Sequence, residues 1–414
     1  MIVEDRIDEK TEYSVLTGVL RDILARHCKY DVDFVETFIM TNTNQYGSIS
    51  RVGGANLAHK IINEIDILSI ADTKETDNRW KKLEGILQYT PVAYQLESIR
   101  YQSEYFSERM ECFIELPIII SSGQKDIGLW PICLMKIDGK WNIGSSGAEI
   151  VEPLLRSDMV SNRKTLRKYL RKIFELLSCF SENFGIGELR FQQTVYDSGM
   201  DMWHRMIMEM GGSIQHVTHD AVLDLSLPED EWKRNFHKTT IQRIREAEKL
   251  YDVSFIDSSN GYDEVKDTML RFREYHYMVA GRRTRGESTW KRQIDGIMAN
   301  RDFVIFQYDK VTGELDGATL FTVTHSHCYY SVSAYNREKF DRAIGHQAQY
   351  RAIERLKDMG VRYYVVGDRY YADDGVDNKN MNISEFKEAF ASHILLKLHM
   401  AITAECLRKA YGRS

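Results

Sequence analysis

The chain has 414 residues, 43% of them hydrophobic and 28% charged, which is the balance of a globular protein rather than of an intrinsically disordered one. That length exceeds one ordinary domain and predicts two. A net charge of −6 argues against a protein that coats nucleic acid through bulk positive charge. The six cysteines form no CxxC pair, and neither a signal-peptide core nor a run of the ~20 apolar residues that span a membrane is present. We therefore expect a cytoplasmic protein with reduced thiols and without a metal site or a membrane span.

Residues 1–70 are predicted to form a helical N-terminal extension, because apolar residues within them recur at helical spacing. Residues 71–217 are predicted to form a first α/β domain. It contains two helices, a strand pair joined by a polar turn, a glycine-rich loop, a long basic helix, a strand and a short helix. These elements are expected at 80–87, 94–105, 111–120, 128–137, 161–184, 187–192 and 203–211.

Residues 218–414 are predicted to form a second α/β domain with a similar order of elements, which suggests duplication of the fold. A strand is expected at 221–227, followed by a helix that Pro228 opens. The remaining strands are expected at 251–256, 303–309, 317–325, 328–335 and 361–367, with helices at 232–250, 262–279, 345–359 and from 383 onward. The fold class is therefore α/β (α+β), with two mixed sheets flanked by helices.

Residues 329–368 form the stretch with the clearest chemical signal. A strand is followed by a loop, by a helix that opens at Gly345, and by another strand. A glycine at a helix start lets backbone N–H groups approach a ligand, and the helix N-terminus favours an anion such as pyrophosphate. A plain strand–loop–helix turn explains the same pattern equally well.

Two motifs in this half resemble known ones. Arg342-Ala-Ile-Gly345-His346-Gln347 is similar to the acyl-CoA pyrophosphate loop of the GNAT acyltransferase superfamily, Arg/Gln-x-x-Gly-x-Gly/Ala, with Gln347 at the last position. The segment 383–387, Ile-Ser-Glu-Phe-Lys, is similar to the Ile-x-x-Phe-Lys motif of the Fem-type branch, whose members transfer aminoacyl groups onto peptidoglycan precursors. With the order of the surrounding elements, the resemblance covers roughly residues 80–395.

The resemblance implies two tandem GNAT-like domains and an acyl donor that enters between two splayed parallel strands, here 328–335 and 361–367. It implies acyl-CoA as the donor and no metal. The residues that would bind this donor are Arg342, Gly345, Gln347 and Tyr335.

Amine acylation requires a group that accepts the proton of the amine and a donor that stabilises the oxyanion of the tetrahedral intermediate. The resemblance assigns transition-state stabilisation to Lys387, although a solvent-facing helical lysine is the common alternative. Asp368 ends a predicted strand and is either a catalytic carboxylate or a loop cap. His346 titrates near neutral pH and is a candidate base, or an ordinary surface residue.

A basic segment, residues 271–292, contains Arg282, Arg283, Arg285 and Trp290. Arginine forks beside an aromatic ring suit the phosphates and base of a nucleotide-linked acceptor or of a tRNA end, whereas a solvated basic loop explains the same composition. Phe386 of the Phe-Lys motif is added to the predicted acceptor site. His325 and His327 are interpreted as a structural pair, since no third metal ligand is near.

Taken together, these features predict an acyltransferase that moves an acyl group from acyl-CoA to an amino group of a cell-envelope sugar or peptidoglycan-type precursor. The acceptor would be a small amino sugar or a nucleotide-linked molecule, and DNA is not expected as a partner. An aminoacyl-tRNA-dependent transferase and a non-catalytic module that binds a nucleotide sugar or a partner protein remain as alternatives.

Overall fold

The computed structural model describes residues 67–70, 74–122, 125–196, 201–236 and 238–411. Most of the predicted N-terminal helical extension lies outside these residues. Within it, Ile67–Ile70 is a strand, so that part of the prediction is wrong.

The first unit is built on an antiparallel sheet in the order β1-β2-β3-β4, with β5 paired to β3. The apolar run in β2 is buried on both faces, between α1–α2 on one side and α4 on the other. Its elements are β1 (Ile67–Ile70), α1 (Lys74–Ile86), α2 (Leu96–Ser107), β2 (Cys112–Ser122), β3 (Lys125–Ile137), β4 (Lys140–Gly144), β5 (Leu154–Leu155), α3 (Ser157–Val160) and α4 (Arg163–Asn183).

The second unit is built on an eight-stranded sheet in the order β6-β13-β7-β12-β11-β10-β9-β8. Its strands are β6 (Glu188–Thr194), β7 (Ser213–Asp224), β8 (Tyr251–Ile256), β9 (Asp302–Asp309), β10 (Leu315–Val323), β11 (His327–Tyr335), β12 (Tyr363–Arg369) and β13 (His393–Thr403). Its helices are α5 (Met202–Glu209), α6 (Glu229–Asn235), α7 (Lys238–Leu250), α8 (Tyr262–Ala280), α9 (Glu287–Met298), α10 (Ile344–Asp358), α11 (Asn378–Glu388) and α12 (Ala404–Tyr411).

Helices cover both faces of the second sheet. Residues of α6, α10 and the end of α11 pack in one core, which includes Trp232, Ala352 and Phe390. Residues of α8 and α9 pack in another core, which includes Phe272 and Trp290. The predicted fold class, α/β with two sheets flanked by helices, is confirmed, although only the second of the predicted mixed sheets has a parallel pairing among the described residues.

The parallel strands β11 and β12 pair over only three residues, from His327 opposite Tyr363 to Tyr329 opposite Val365. Beyond this point the two strands continue without pairing to each other. Each carries an irregularity at the separation, since the β10–β11 register skips Ser331 and the β12–β7 register skips Val366. Such bulges bend a strand and increase its twist, which opens the gap. The splayed strands expected from the resemblance are therefore present.

Several predicted bounds are wrong. The domain boundary at 217/218 falls inside β7, and β6 belongs to the second sheet although it was placed in the first domain. The predicted helix at 232–250 is divided, because Phe236 has an extended conformation. The helical region predicted from residue 383 onward contains β13, an eleven-residue strand inside the sheet. No helix was predicted between residues 279 and 303, yet α9 lies there and takes in the end of the basic segment.

Among the described residues, no helix has both the length and the apolar character needed to cross a bilayer.

Candidate active site

Lys387 lies at the separation of β11 and β12. It projects from the last turn of α11, and its ammonium nitrogen rests against Gly367 in β12. A Cβ atom added at Gly367 would lie 2.5 Å from Lys387 Nζ, and the φ of +127° at this residue is itself unfavourable for L side chains. Gly367 therefore provides the space in which the ammonium group reaches the edge of the sheet.

Lys397 joins two carboxylates from neighbouring strands beside this position. Asp220 in β7 is directly opposite Asp368 in β12, and Lys397 lies on the adjacent strand β13. Lys397 Nζ is 2.7 Å from Asp220 Oδ1 and 3.1 Å from Asp368 Oδ1. The hydroxyl of Thr194 in β6 donates to Asp220 Oδ2 at 2.6 Å. Four adjacent strands thus contribute to one hydrogen-bonded network.

Charges in this network keep the groups in defined protonation states. Burial alone would raise the pKa of Asp368, but the ammonium groups of Lys397 and Lys387 bring it below its ordinary value. Burial would lower the pKa of Lys397, whereas Asp220 and Asp368 raise it well above its ordinary value. Burial dominates at Lys387 and lowers its pKa, although Asp368 and Asp220 oppose this change. Of the two lysines, Lys387 therefore releases its proton more readily than Lys397 does.

Two tyrosines border the network. The hydroxyl of Tyr370 donates to Asp368 Oδ2 at 3.4 Å. Burial raises the pKa of Tyr329 to about 12, and the charge of Asp220 contributes to this rise. The phenol of Tyr329 is consequently protonated at neutral pH and is able to donate a hydrogen bond.

A cavity of about 1060 Å³ reaches the network from the opposite face of the sheet. The first unit contributes residues such as Tyr94, Tyr101 and Glu152 to its wall, and the second unit contributes Tyr329 and Lys397 among others. This volume is in the range of small-molecule sites. The cavity lies between the two units and ends at the splayed strands.

Several cavity-lining side chains have buried polar atoms without a hydrogen-bond partner among the described residues. Buried polar groups are nearly always satisfied in folded proteins, so a cluster of exceptions around one cavity indicates a place for a polar ligand or water. The atoms are Glu97 Oε2, Ser146 Oγ, Gln193 Oε1, His204 Nε2, Gln293 Oε1, Asp302 Oδ1 and His327 Nε2.

The predicted donor loop only partly fits a pyrophosphate. Helix α10 begins after Ala343 without a side-chain cap, and Gly345 lies in its first turn against the rings of Phe386 and Tyr335. Arg342 is half-exposed, but its guanidinium group is paired with Asp309 at 2.9 Å. The helix start and Arg342 are thus suited to an anion if Arg342 exchanges Asp309 for it.

Gln347 does not reach this surface, and its assignment to the donor site is corrected. Only 2% of the residue is exposed, and its side chain is hydrogen-bonded to Gln307 and to the carbonyl of Tyr251 in the interior. Its amide replaces the glycine or alanine of the family motif with a buried polar contact. Tyr335, by contrast, lies beside Gly345 at the end of β11, with its hydroxyl 2.7 Å from that of Thr319.

His346 packs between aromatic rings rather than against a titratable site residue. Its ring lies edge-on to Phe386, with 5.0 Å between the centroids, and 5.7 Å from Phe390. Burial, together with the charge of Arg243, lowers the pKa of His346 to about 4. This placement argues against the predicted catalytic role and gives His346 the role of supporting Phe386. Phe386 itself packs against the core that contains Ala352 and Phe390, and it does not line the cavity, where the predicted acceptor site would place it.

The basic segment separates into exposed and buried parts. Arg282 and Arg283 are exposed, and neither lines the cavity. Arg285 lines it, stacks on the Trp290 ring at 4.3 Å and donates to the hydroxyl of Tyr101 at 2.7 Å. Trp290 is only 3% exposed. The expectation that Trp290 forms an open aromatic platform is therefore wrong, because its ring is covered by Arg285 and by the helices around it.

Sequence reasoning missed Lys397 and Asp220. The run Leu396-Lys397-Leu398-His399-Met400 alternates polar and apolar residues, which is the signal of a strand with one face toward a site. Asp220 immediately precedes the strand predicted at 221–227, and the structure places it inside β7. Among the described residues, no group of three or more His, Cys, Asp or Glu side chains is arranged to hold a metal ion.

No protein-family model and no curated protein matches the sequence. Solved structures do match the fold. FemX superposes with a TM-score of 0.60 at 12% identity, over 81% of this chain and 98% of that chain. L-PGS from Bacillus licheniformis superposes with a TM-score of 0.51 at 12% identity, over 86% of this chain and 100% of that chain.

The C-terminal domain of a putative lysylphosphatidylglycerol synthetase from Agrobacterium fabrum gives a TM-score of 0.51 at 12% identity, over 81% of this chain and 95% of that chain. At such identities the likeness concerns the fold. The chain therefore shares the fold of FemX and of these two other structures.

Proposed function

We propose that the protein is an N-acyltransferase that moves an acyl group from acyl-CoA to an amino group of a cell-envelope sugar or peptidoglycan-type precursor. The observation that carries this proposal is the position of Lys387 against Gly367 at the separated strands, with a cavity that reaches the same strand ends from the other face. A donor on one face and an acceptor on the other would meet there.

In this mechanism the acceptor amine enters through the cavity and attacks the thioester carbonyl carbon. A C–N bond forms, the C–S bond breaks, and the carbonyl oxygen carries negative charge in the intermediate. Lys387 supplies the positive charge that stabilises this oxygen. The ionised Asp368, held by Lys397, accepts a hydrogen bond from the amine and orients it. The proton lost by the amine ends on the leaving thiolate, with Lys387 as the nearest group able to exchange one.

The uncapped start of α10 and the half-exposed Arg342 support acyl-CoA as the donor. A backbone N-terminus and a guanidinium group together are suited to a pyrophosphate. Tyr335 lies next to this helix start, where it would contact the donor chain.

An aminoacyl-tRNA donor is the second candidate, and two observations favour it. Arg342 is already paired with Asp309, and Gln347 is buried in the interior, so two of the predicted CoA contacts are engaged elsewhere. The exposed Arg282 and Arg283 are available to contact phosphates.

A donor panel distinguishes these functions. Acetyl-CoA and an aminoacyl-tRNA are each incubated with the purified protein and amine acceptors, and transfer is followed by the acyl label on the acceptor. Thermal stabilisation by CoA is measured in parallel for wild type, Arg342→Ala and the control Arg337→Ala, an exposed arginine of the same turn.

Stabilisation by CoA that is lost in Arg342→Ala but kept in Arg337→Ala supports the acyl-CoA donor. Transfer from aminoacyl-tRNA but not from acetyl-CoA supports the aminoacyl-tRNA donor instead. Absence of transfer from both donors, with an acceptor still bound, would identify a non-catalytic binding module instead.

A further inference from the structure

A second group of polar side chains lies in the cavity wall, away from Lys387. The Gln193 amide nitrogen donates to Glu152 Oε1 and to Asp201 Oδ2, the latter at 3.1 Å. Asp201 also accepts from the backbone N–H of His204, and its Oδ1 lies 2.8 Å from His204 Nδ1. All four side chains line the cavity. Two carboxyl groups are thus held together by a shared donor.

The two carboxyl groups hold one proton between them. Burial raises the pKa of Glu152 well above its ordinary value, and the neighbouring charge of Asp201 adds to the rise. Burial would also raise the pKa of Asp201, but hydrogen bonds from His204 and Glu152 bring it below its usual range. The pair therefore favours the state in which Asp201 is ionised and Glu152 keeps its proton.

Two atoms of this group lack a hydrogen-bond partner among the described residues. Gln193 Oε1 and His204 Nε2 are both buried, and only 3% of His204 is exposed. An unsatisfied nitrogen on a buried, cavity-lining histidine costs free energy unless a ligand or water pairs with it. The group thus combines a negative charge with open hydrogen-bonding positions.

The position of the pair relates it to the separated strands. Gln193, which binds the pair, precedes Thr194, whose hydroxyl binds Asp220 in the Lys397 network. One peptide unit of β6 therefore connects the two groups along the same cavity. The positive charge of Lys397 is engaged by Asp220 and Asp368, which reduces its repulsion of a second cation nearby.

We propose that Glu152 and Asp201 form the subsite that binds the protonated primary amine of the acceptor before acylation. A carboxylate with further hydrogen-bond donors and acceptors around it matches an ammonium group, which presents three N–H donors. This inference rests on the proposed function and names the chemistry of its acceptor. The ammonium group could belong to an amino sugar or to a lysine-type side chain.

Direct binding to the full chain tests the subsite without turnover. Calorimetric titrations use glucosamine against glucose, and Nα-acetyl-lysine against Nα,Nε-diacetyl-lysine, so that each pair differs in the amine. The variants are Glu152→Gln and Asp201→Asn, the second of which keeps a residue able to cap α5. Glu188→Gln is the control, since it removes an exposed carboxylate of β6, the strand that carries Gln193, and Glu188 does not line the cavity.

We expect one amine to bind the wild type and the Glu188→Gln control, and to bind Asp201→Asn at least tenfold more weakly. Glucose and Nα,Nε-diacetyl-lysine should bind poorly to all of these proteins. The amine that binds, glucosamine or Nα-acetyl-lysine, shows whether the ammonium group belongs to an amino sugar or to a lysine-type side chain. Equal amine affinity in Asp201→Asn, Glu152→Gln and wild type would overturn the subsite, as would wild type that binds neither amine. Thermal unfolding of each variant shows whether it is folded.

Failure of the proposed function gives a different result. One result is that the wild type transfers no acyl group from any donor, while Asp201→Asn binds the amine more weakly than the wild type does. The proposed function is then wrong and the subsite is supported. If transfer occurs and amine affinity is unchanged in both variants, the function stands and the subsite is wrong.

Discussion

The ammonium group of Lys387 occupies the space that a side chain at Gly367 would fill, with 2.5 Å between Nζ and the position of an added Cβ. This contact joins α11 to β12 at the point where β12 leaves β11. Substitution of either Gly367 or Lys387 should therefore disturb the position of the ammonium group at the separated strands.

Lys387→Ala should reduce kcat of acyl transfer by at least about 100-fold, as is typical when one oxyanion-stabilising group is removed. Donor binding should remain, because the proposed donor contacts lie at the start of α10 and not on α11. Lys379→Ala, an exposed lysine of the same helix, is the matched control and should leave kcat unchanged. Steady-state kinetics with thermal unfolding measures both, and full activity in Lys387→Ala would refute the assignment.

Gly367→Ala should reduce kcat because the new methyl group displaces Lys387 Nζ. The control is Gly360→Ala, where φ is +73° but nothing lies within 4 Å of an added Cβ. Both changes cost about 1–3 kcal/mol of unfolding free energy from backbone strain. Only the first should lower activity, and equal activity losses after correction for the folded fraction would contradict this expectation.

Asp220→Ala should destabilise the protein on the order of 3 kcal/mol, because it leaves the buried Lys397 ammonium and the Thr194 hydroxyl without their principal partner. Glu188→Ala breaks an exposed ion pair with Arg190 and should cost less than about 1 kcal/mol. Urea unfolding gives both values. A cost at Asp220 as small as at Glu188 would show that the network does not support the sheet.

Asp302 should make stability depend on pH between about 4 and 7. Burial raises its pKa to about 7 against the opposing hydrogen bond of Thr322, and Glu97 adds to the rise. The folded state therefore binds this proton more tightly than the unfolded state does. The stabilisation is complete below the unfolded pKa near 3.8 and is lost as pH rises through 7, on the order of 2–4 kcal/mol.

Asp302→Asn should flatten part of this slope, measured by urea unfolding of the ligand-free protein at a series of pH values. Burial also raises the pKa of Glu84 to about 7, so a residual slope in the same window is expected. Asp263→Asn, an exposed aspartate of α8, should keep the wild-type slope. An unchanged slope in Asp302→Asn would mean that this carboxyl is not desolvated.

Local patterns were sufficient for much of the fold. Continuous apolar runs located β2 and β3, and helical spacing located α4 and α8, because these signals lie in adjacent residues. The order of β11, α10 and β12 could also be predicted, and with it the separated strands. The error at β13 came from extending a helix past Glu388, although the alternation around Lys397 was present.

The site depended on contacts that local patterns do not contain. Arg342 and Gln347 belong to one short motif, yet Gln347 is held in the interior by Gln307 and Arg342 pairs with Asp309. The side of α10 that faces the sheet determines which of these side chains is buried, and packing of the helix on the sheet determines that side. Trp290 was interpreted as exposed for the same reason.

The sequence by itself determined an α/β chain with a helix opening at Gly345 and a lysine at 387 in a recognisable motif. Only the tertiary structure brought Asp220, Asp368 and Lys397 together, and only it placed Glu152 beside Asp201 in a cavity between the two units. Strand order is the physical reason. Side chains distant in the chain become neighbours through the sheet order β13-β7-β12, which depends on the summed packing of both units rather than on the periodicity of any one segment.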